Sequence, residues 1–509
     1  MNSTATEPPT ATAHAAELIS LNPATLDELG RVPVFSAHQV QHAVARARAA
    51  QSAWGSLSFK QRGAHILRAK DLLVERQDDF CGLIARETGK PRVEALTSEV
   101  MPVANLMDYF ARKSENLLRD EQFTLSVFRN KKSRVYFYPV GVAGIISPWN
   151  YPFSIPMGEV VMGLMAGNAV VLKPSEHTPL VGLQIGELFR DAGLPDGVLQ
   201  ALTGDGTTGA ALAEAAIDKL FFTGSVRTGR KIAEAAARRL MPCVLELGGK
   251  DAMIVCADAP FERTVNGALW GAFCNCGQTC ASVERLYVVE SIADRFIQAV
   301  VDKTRTLRVG EGAVDIGPLN NSRQLQVVIE QVQDAVAKGA KVLTGGRRIE
   351  KLPGYFFEPT ILTNVNSAMR LMQEETFGPV LPIIVVKDEA EALRQANDSN
   401  FGLLASVWTK DTRRGKRLAE LLEAGTVLIN DVIYTHGAPE TPWFGVKESG
   451  LGITHSKHGL REFVRMKHIN WDLLPMKTNL WWFPYSEKRL RDFKFLMKLL
   501  HKWGLKKWL

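Results

Sequence analysis

The chain has 509 residues, 46% hydrophobic and 23% charged, an ordinary globular composition too long for one core. Six cysteines in that length do not make a disulfide scaffold and point to a reducing compartment, so a cytoplasmic location is expected. The formal net charge of +7 sits in the last 35 residues, where 475–509 carry nine Lys/Arg against two Asp/Glu. That is not the basic domain face of a nucleic-acid binder.

Residues 1–17 are rich in Thr, Ala and Pro, lack the regions of a signal peptide, and read as a disordered tail. No apolar run reaches the roughly 18 residues of a spanning helix. Between Val40 and Leu118 apolar residues recur at helical spacing, as in Ile66, Ala69 and Leu73 and again in Val100, Val103 and Met107. Phe123, Leu125 and Val127 then alternate, as do Val135 and Phe137, about the polar turn Arg129-Asn130-Lys131-Lys132. That predicts a β-hairpin. From Val142 onward short apolar runs alternate with helices: Val142–Ile146, Ala169–Leu172, Val198–Leu202, Leu220–Phe222 and Met253–Val255. A second series follows at Leu286–Val289, Lys341–Leu343, Val380–Val386, Ala405–Trp408 and Val427–Ile429. The rhythm predicts two α/β units with parallel, doubly wound sheets.

Two short stretches carry chemistry. Gly277-Gln278-Thr279-Cys280 holds a thiol between small neighbours, and Glu246-Leu247-Gly248-Gly249-Lys250 places a carboxylate at a Gly-Gly turn, 34 residues upstream. A thiol can attack an electrophilic carbon, and a carboxylate can activate water. Each has a plainer reading: a buried inert cysteine, and a carboxylate that caps a turn. Cys274, Cys276 and Cys280 do not read as a metal site. All ten histidines lie at or before His177 or at or after His436, and the spacing is not that of a ligand pair. Asn150, after Pro148-Trp149, is a fixed amide donor or an ordinary turn residue. Phe222-Thr223-Gly224-Ser225 leads from a strand into a helix containing Gly229; the free N–H groups there suit a pyrophosphate, though a tight turn needs the same glycines.

The Pro148-Trp149-Asn150 turn, the Glu246 pentad, the Cys280 tetrad and Glu374-Glu375-Thr376-Phe377-Gly378-Pro379, in that order, resemble the NAD(P)-dependent aldehyde dehydrogenase superfamily. The resemblance runs from Asn22-Pro23 to about Asp472. It implies a Rossmann-type cofactor domain (18–120 and 138–248), an α/β catalytic domain (249–459) and a β-hairpin oligomerisation arm (121–137 and 460–472), with a late strand near Glu462–Ile469. It implies Cys280 as nucleophile, Asn150 as oxyanion donor and Glu246 as the base that hydrolyses a thioester, with water rather than coenzyme A as acyl acceptor. It further implies that Trp149, Lys173, Glu176, Gly224, Ser225, Gly229, Glu375 and Phe377 bind the cofactor. Glu176 would repel a 2′-phosphate and favour NAD; Lys173 pulls the other way and allows NADP. A homodimer or homotetramer follows from the same likeness.

For the substrate, Gly158 stands eight residues after Asn150, where several small-aldehyde relatives carry a bulky aromatic. Thr279 and Ala281 are small, and the loop Tyr434-Thr435-His436-Gly437-Ala438 is light. A wide tunnel for a bulky or long apolar aldehyde is the expectation. The alternatives are a semialdehyde dehydrogenase acting on a small carboxylated substrate, and a catalytically idle membrane-tethered protein of the same fold. Finally, 475–509 hold Trp481, Trp482, Trp503 and Trp508. On a helical wheel from Ser486, Leu490, Phe493, Leu496, Met497, Leu500 and Trp503 oppose Arg491, Lys494, Lys498 and Lys502. That pattern, broken slightly by Phe495 and Arg489, predicts peripheral membrane contact through 481–509, on the cytoplasmic face; the alternative is packing on a neighbouring subunit.

Overall fold

The computed structural model of the protein describes residues 16–474 and 476–502. Most of the expected tail, 1–15, lies outside them, as do Trp503 and Trp508. Glu17 already belongs to a strand: Glu17–Leu21 pairs antiparallel with Glu28–Pro33, a hairpin the sequence reading missed. The helical region begins with Ala37–Ser56 and Phe59–Glu75. Each is opened by a reciprocal capping box, Ser36 with Gln39 and Ser58 with Gln61. Helix Met101–Leu117 follows a widened turn, Leu96–Val100, in which backbone hydrogen bonds skip one residue further. The predicted apolar positions Ile66, Ala69, Leu73, Val103 and Met107 are all buried.

Two sheets organise the rest. In the first, Val142–Ile146 is flanked by Ala169–Lys173 and then Leu199–Ala201 on one side. On the other side come Lys219–Thr223 and Cys243–Glu246, all parallel. The chain thus winds outward in both directions from Val142–Ile146, and the crevice at such a switch point receives ligands at the carboxyl ends of the strands. Three of these strands are buried along their whole length, which is why they read as unbroken apolar runs. The second sheet runs Lys341–Thr344, Thr360–Thr363, Val380–Val386, Val283–Val289, Asp251–Val255, Leu404–Trp408, Thr426–Ile429 and is parallel except at its first pair. Strand Gly450–Leu451 leaves this second unit and pairs antiparallel with Leu245 and Glu246 at the edge of the first sheet.

The arm differs from expectation in detail. Glu121–Phe123 pairs with Lys131–Pro139, so the hairpin loop is 124–130; Leu125 and Val127 lie in it, while Lys131 and Lys132 open the returning strand. The late strand is Val464–Asp472, because Glu462 closes helix Ser456–Glu462 first; it pairs along its whole length with Lys131–Pro139. Among the described residues no helix is long and apolar enough to cross a membrane.

Candidate active site

Cys280 follows a loop bent by three consecutive left-handed residues, Asn275, Cys276 and Gly277, with φ of 50°, 57° and 70°. At Gly277 the glycine is required: a Cβ would stand 2.1 Å from the Gly378 carbonyl oxygen. The loop is held by Asn275, whose Nδ2 donates to Asn150 O (2.9 Å) and Gln278 O (3.1 Å), and whose backbone N–H meets the Glu94 carboxylate. Asn150 approaches from the other side and donates Nδ2 to Gln278 O at 3.1 Å. One N–H of that amide is engaged and the second is left for another acceptor. Tyr151 Oη and Thr279 Oγ1 lie 2.8 Å apart, locking the residues next to Asn150 and Cys280 together.

Glu246 accepts from Trp443 Nε1 at 3.0 Å and lies near the Cys280 thiol. Burial pushes the Glu246 carboxyl up to about 7, against the pull of the Trp443 hydrogen bond and of the thiol. Burial, then the nearby Glu246, Asp251 and Glu375 carboxylates, hold the Cys280 thiol well above its ordinary value. The resting nucleophile is therefore a thiol near a carboxyl poised around neutrality. Burial, then the nearby Glu94 carboxyl, pushes Cys274 up to about 12 and holds Cys276 well above its ordinary value. No group of three or more His, Cys, Asp or Glu suited to a metal ion occurs among the described residues.

Two buried ion pairs, neither foreseen from sequence, brace this arrangement. Lys90 Nζ meets Glu99 Oε1 at 2.5 Å with both side chains fully buried. Lys90 also donates to Asn150 O at 2.8 Å and sits over the Tyr151 ring, while Glu99 Oε2 accepts from the backbone N–H of Phe153 and Ser154 at the start of helix Ser154–Met165. On the opposite wall Lys250 Nζ meets Glu284 Oε2 at 2.6 Å. Glu284 accepts from the backbone N–H of Thr376 and Phe377, fixing the loop in which Phe377 adopts φ 51°. Glu375 on that loop accepts from Gly249 N at 3.0 Å; burial and Glu284 push its carboxyl up to about 8.

The residues expected to bind a dinucleotide gather at the carboxyl ends of the first sheet. Ser225 caps helix Val226–Arg238 by accepting from Thr228 N, and Gly229 packs so closely on Leu247 that a Cβ would fall 2.5 Å from Cδ2. Gly224 N donates to Glu246 O at 3.0 Å, linking this turn to the base-bearing strand. Trp149 meets Phe377 edge-on at 5.5 Å between ring centres and His177 at 6.4 Å. Lys173 Nζ and Glu176 Oε2 are 3.3 Å apart. Burial is the largest influence on Glu176 and opposes its ionisation, but the Lys173 charge and hydrogen bond, a backbone N–H and His177 together outweigh it and hold the carboxyl below its usual range. This paired arrangement tempers the repulsion of a 2′-phosphate expected from Glu176 alone.

A cavity of about 210 Å³ ends at Cys280. Tyr151, Ile155, Trp270, Ile433, Tyr434 and Trp443 form much of its wall, and among the described residues no Lys or Arg lines it. Trp270 and Tyr434 are half exposed, so the cavity reaches the surface beside them. His436 lines it too, but burial pushes its imidazole down to about 4 and leaves it neutral. Gly158 does not widen this space. It faces the His455 ring and Leu106, whose atoms would lie 3.5 and 3.6 Å from a Cβ, so a neighbouring loop has refilled the volume that the missing side chain vacates.

Comparison with known proteins agrees with this geometry. Residues 10–469 match the aldehyde dehydrogenase family. The 4,4'-diapolycopene aldehyde oxidase of Methylomonas sp is 40% identical over 93% of this chain and 89% of its own. A putative NADP(+) succinate-semialdehyde dehydrogenase of Mycobacterium ulcerans is 39% identical over 87% and 88%. A Mycobacterium tuberculosis aldehyde dehydrogenase solved with NAD+ superposes with a TM-score of 0.87 at 36% identity, covering 92% of this chain and 96% of that one. With a thiol and a carboxyl close together beneath a mostly apolar cavity and beside a doubly wound sheet, and with a match along nearly its whole length, the chain belongs to the aldehyde dehydrogenase family.

Proposed function

We propose that the enzyme oxidises an apolar aldehyde to its carboxylic acid with NAD(P)+, through Cys280 and Glu246. The observation that carries this reading is the cavity at Cys280, walled mostly by aromatic and aliphatic side chains, with Thr97, Ser98 and Thr279 as its hydroxyls and, among the described residues, no fixed positive charge in its lining. A carboxylated aldehyde would bring a charge into that space without a partner, at a cost of several kcal/mol.

In this reading Glu246 takes the proton of the Cys280 thiol, and the thiolate adds to the aldehyde carbon. The free N–H of Asn150 and the Cys280 backbone N–H stabilise the oxyanion. Trp149, Phe377, Glu375, Gly224, Ser225, Gly229 and the Lys173–Glu176 pair would hold NAD(P), which when bound accepts the hydride. Glu246 releases the thiol's proton to solvent and then takes one from a water, whose oxygen attacks the Cys280 thioester carbon; the acid leaves and that second proton returns to the Cys280 thiolate. The free cysteines suit a reducing, cytoplasmic setting. Strand Val464–Asp472 leaves Met466, Ile469 and Trp471 exposed, which supports a homodimer or homotetramer formed through the arm.

A second reading, a semialdehyde dehydrogenase, is favoured by the name of the Mycobacterium ulcerans relative. Reduced-cofactor absorbance with a series of linear aldehydes and with succinate semialdehyde separates the two. Our reading expects kcat/KM to rise about fourfold per added methylene, at about 0.8 kcal/mol each. A preference for succinate semialdehyde would overturn it, and no turnover with any aldehyde would point to an idle protein.

A further inference from the structure

The C-terminal segment takes no part in the chemistry above, yet it is built. After the arm strand the chain turns back on the arm's own loop. Trp481 meets Phe128 edge-on at 5.1 Å and lies beside Lys131, and Asn479 is buried. Arg489 then donates to the carbonyls of Trp482 and Pro484, and Ser486 caps helix Glu487–His501 by accepting from Arg489 N at 3.2 Å. The helix therefore leaves the body through a braced joint. None of its residues is buried.

Its surface has two sides. Leu490, Phe493 and Met497 follow one another at helical spacing and are 47%, 38% and 67% exposed. Arg491, Lys494 and Lys498 line a neighbouring stripe along one flank of it. Leu480, Trp482, Phe483 and Tyr485, just before the helix, are exposed as well. Over 476–502 there are seven Lys/Arg and only two Asp/Glu, Glu487 and Asp492.

We propose that 476–502 is a docking element for an anionic lipid surface, with the helix lying in the plane of the membrane. Charge complementarity selects this occupant. A partner protein covering the helix would have to satisfy a basic stripe that has few acidic residues of its own, whereas lipid phosphates meet it directly. The Leu490, Phe493 and Met497 side then enters the acyl boundary, and the neighbouring Trp and Tyr rings rest at the headgroup level. The helix has 15 residues and does not span. The consequence for the enzyme is access: an apolar aldehyde dissolved in lipid is collected where it resides.

The test is co-sedimentation of the full chain with vesicles of phosphatidylcholine, alone or mixed with phosphatidylglycerol, at low and high salt. Binding to the mixed vesicles is expected, weakened but not abolished by salt. Lys494→Gln with Lys498→Gln should weaken partition at low salt about 30-fold, at about 1 kcal/mol per charge. Phe493→Asp with Met497→Asp should remove the salt-resistant part while leaving oligomeric mass and oxidation of a short soluble aldehyde unchanged. Recovery of the full chain in the supernatant with mixed vesicles would overturn the proposal. So would a change of oligomeric mass in the Phe493/Met497 variant, which would assign the helix to a second copy of the chain.

Discussion

The walls around Cys280 and the helix at 487–501 treat charged side chains in opposite ways. Around Cys280, Lys90 with Glu99 and Lys250 with Glu284 are buried as pairs, and each pair also holds backbone groups of a loop that carries site residues. In the helix, Arg491, Lys494 and Lys498 stand in the open beside an exposed apolar stripe. A buried pair fixes geometry but tolerates no loss of a partner; an exposed stripe fixes little and tolerates much. The pocket is thus preorganised for one reaction, and the tail is suited to a deformable surface.

Substitutions should expose that contrast, and the nucleophile should show the largest effect. Cys280→Ala should lower aldehyde oxidation on the order of 10⁴-fold or more in steady-state assays, while Cys274→Ala and Cys276→Ala stay within about tenfold. Equal loss in all three would assign the cysteines a shared structural role. Glu246→Gln removes the proton acceptor for the Cys280 thiol as well as the base for deacylation, so the first turnover of reduced cofactor and the steady rate should both fall about 10²- to 10⁴-fold, read by stopped flow. Glu99→Gln should cost about 3–5 kcal/mol in denaturant unfolding, because Lys90 keeps a buried charge without its partner. Lys488→Gln in the tail should stay within about 0.5 kcal/mol. Comparable losses for both would erase the distinction between the two regions. The smallest effect belongs to Trp443. Activity requires ionised Glu246, so kcat/KM should rise with pH through about 7. Trp443→Phe removes a hydrogen bond that favours the ionised form, so that limb should move to higher pH. A pH–rate profile measures the shift.

Sequence reading reached the parts that are local or motif-borne. Strand Val380–Val386 falls within its predicted bounds, and Cys280, Glu246, Asn150 and Glu375 lie at one site because short motifs fix their neighbours. It did not reach the braces. Glu99 reads as one more helical glutamate until the fold brings Phe153 and Ser154 to it, 54 and 55 residues away. Glu284 sits in a buried strand, and only tertiary structure delivers the backbone of Thr376 and Phe377 to it. Gly158 misled for a related reason. A missing side chain is visible in sequence, but the His455 ring that occupies its place comes from nearly 300 residues later. The N-terminal hairpin was missed because Leu21-Asn22-Pro23 looks like a stop signal although the strand ahead of it is real.

The small strand Gly450–Leu451 has a mechanical consequence. It ties the second unit to the edge of the first sheet at Glu246 itself, and Ser449 reinforces the tie by donating Oγ to Gly248 O at 2.7 Å while accepting from Gly402 N at 2.9 Å. The seam between the two units therefore passes through the strand that carries Glu246. A hinge opening there would unzip that pairing, whereas the mouth by Trp270 and Tyr434 offers a route to the cavity that leaves the seam closed.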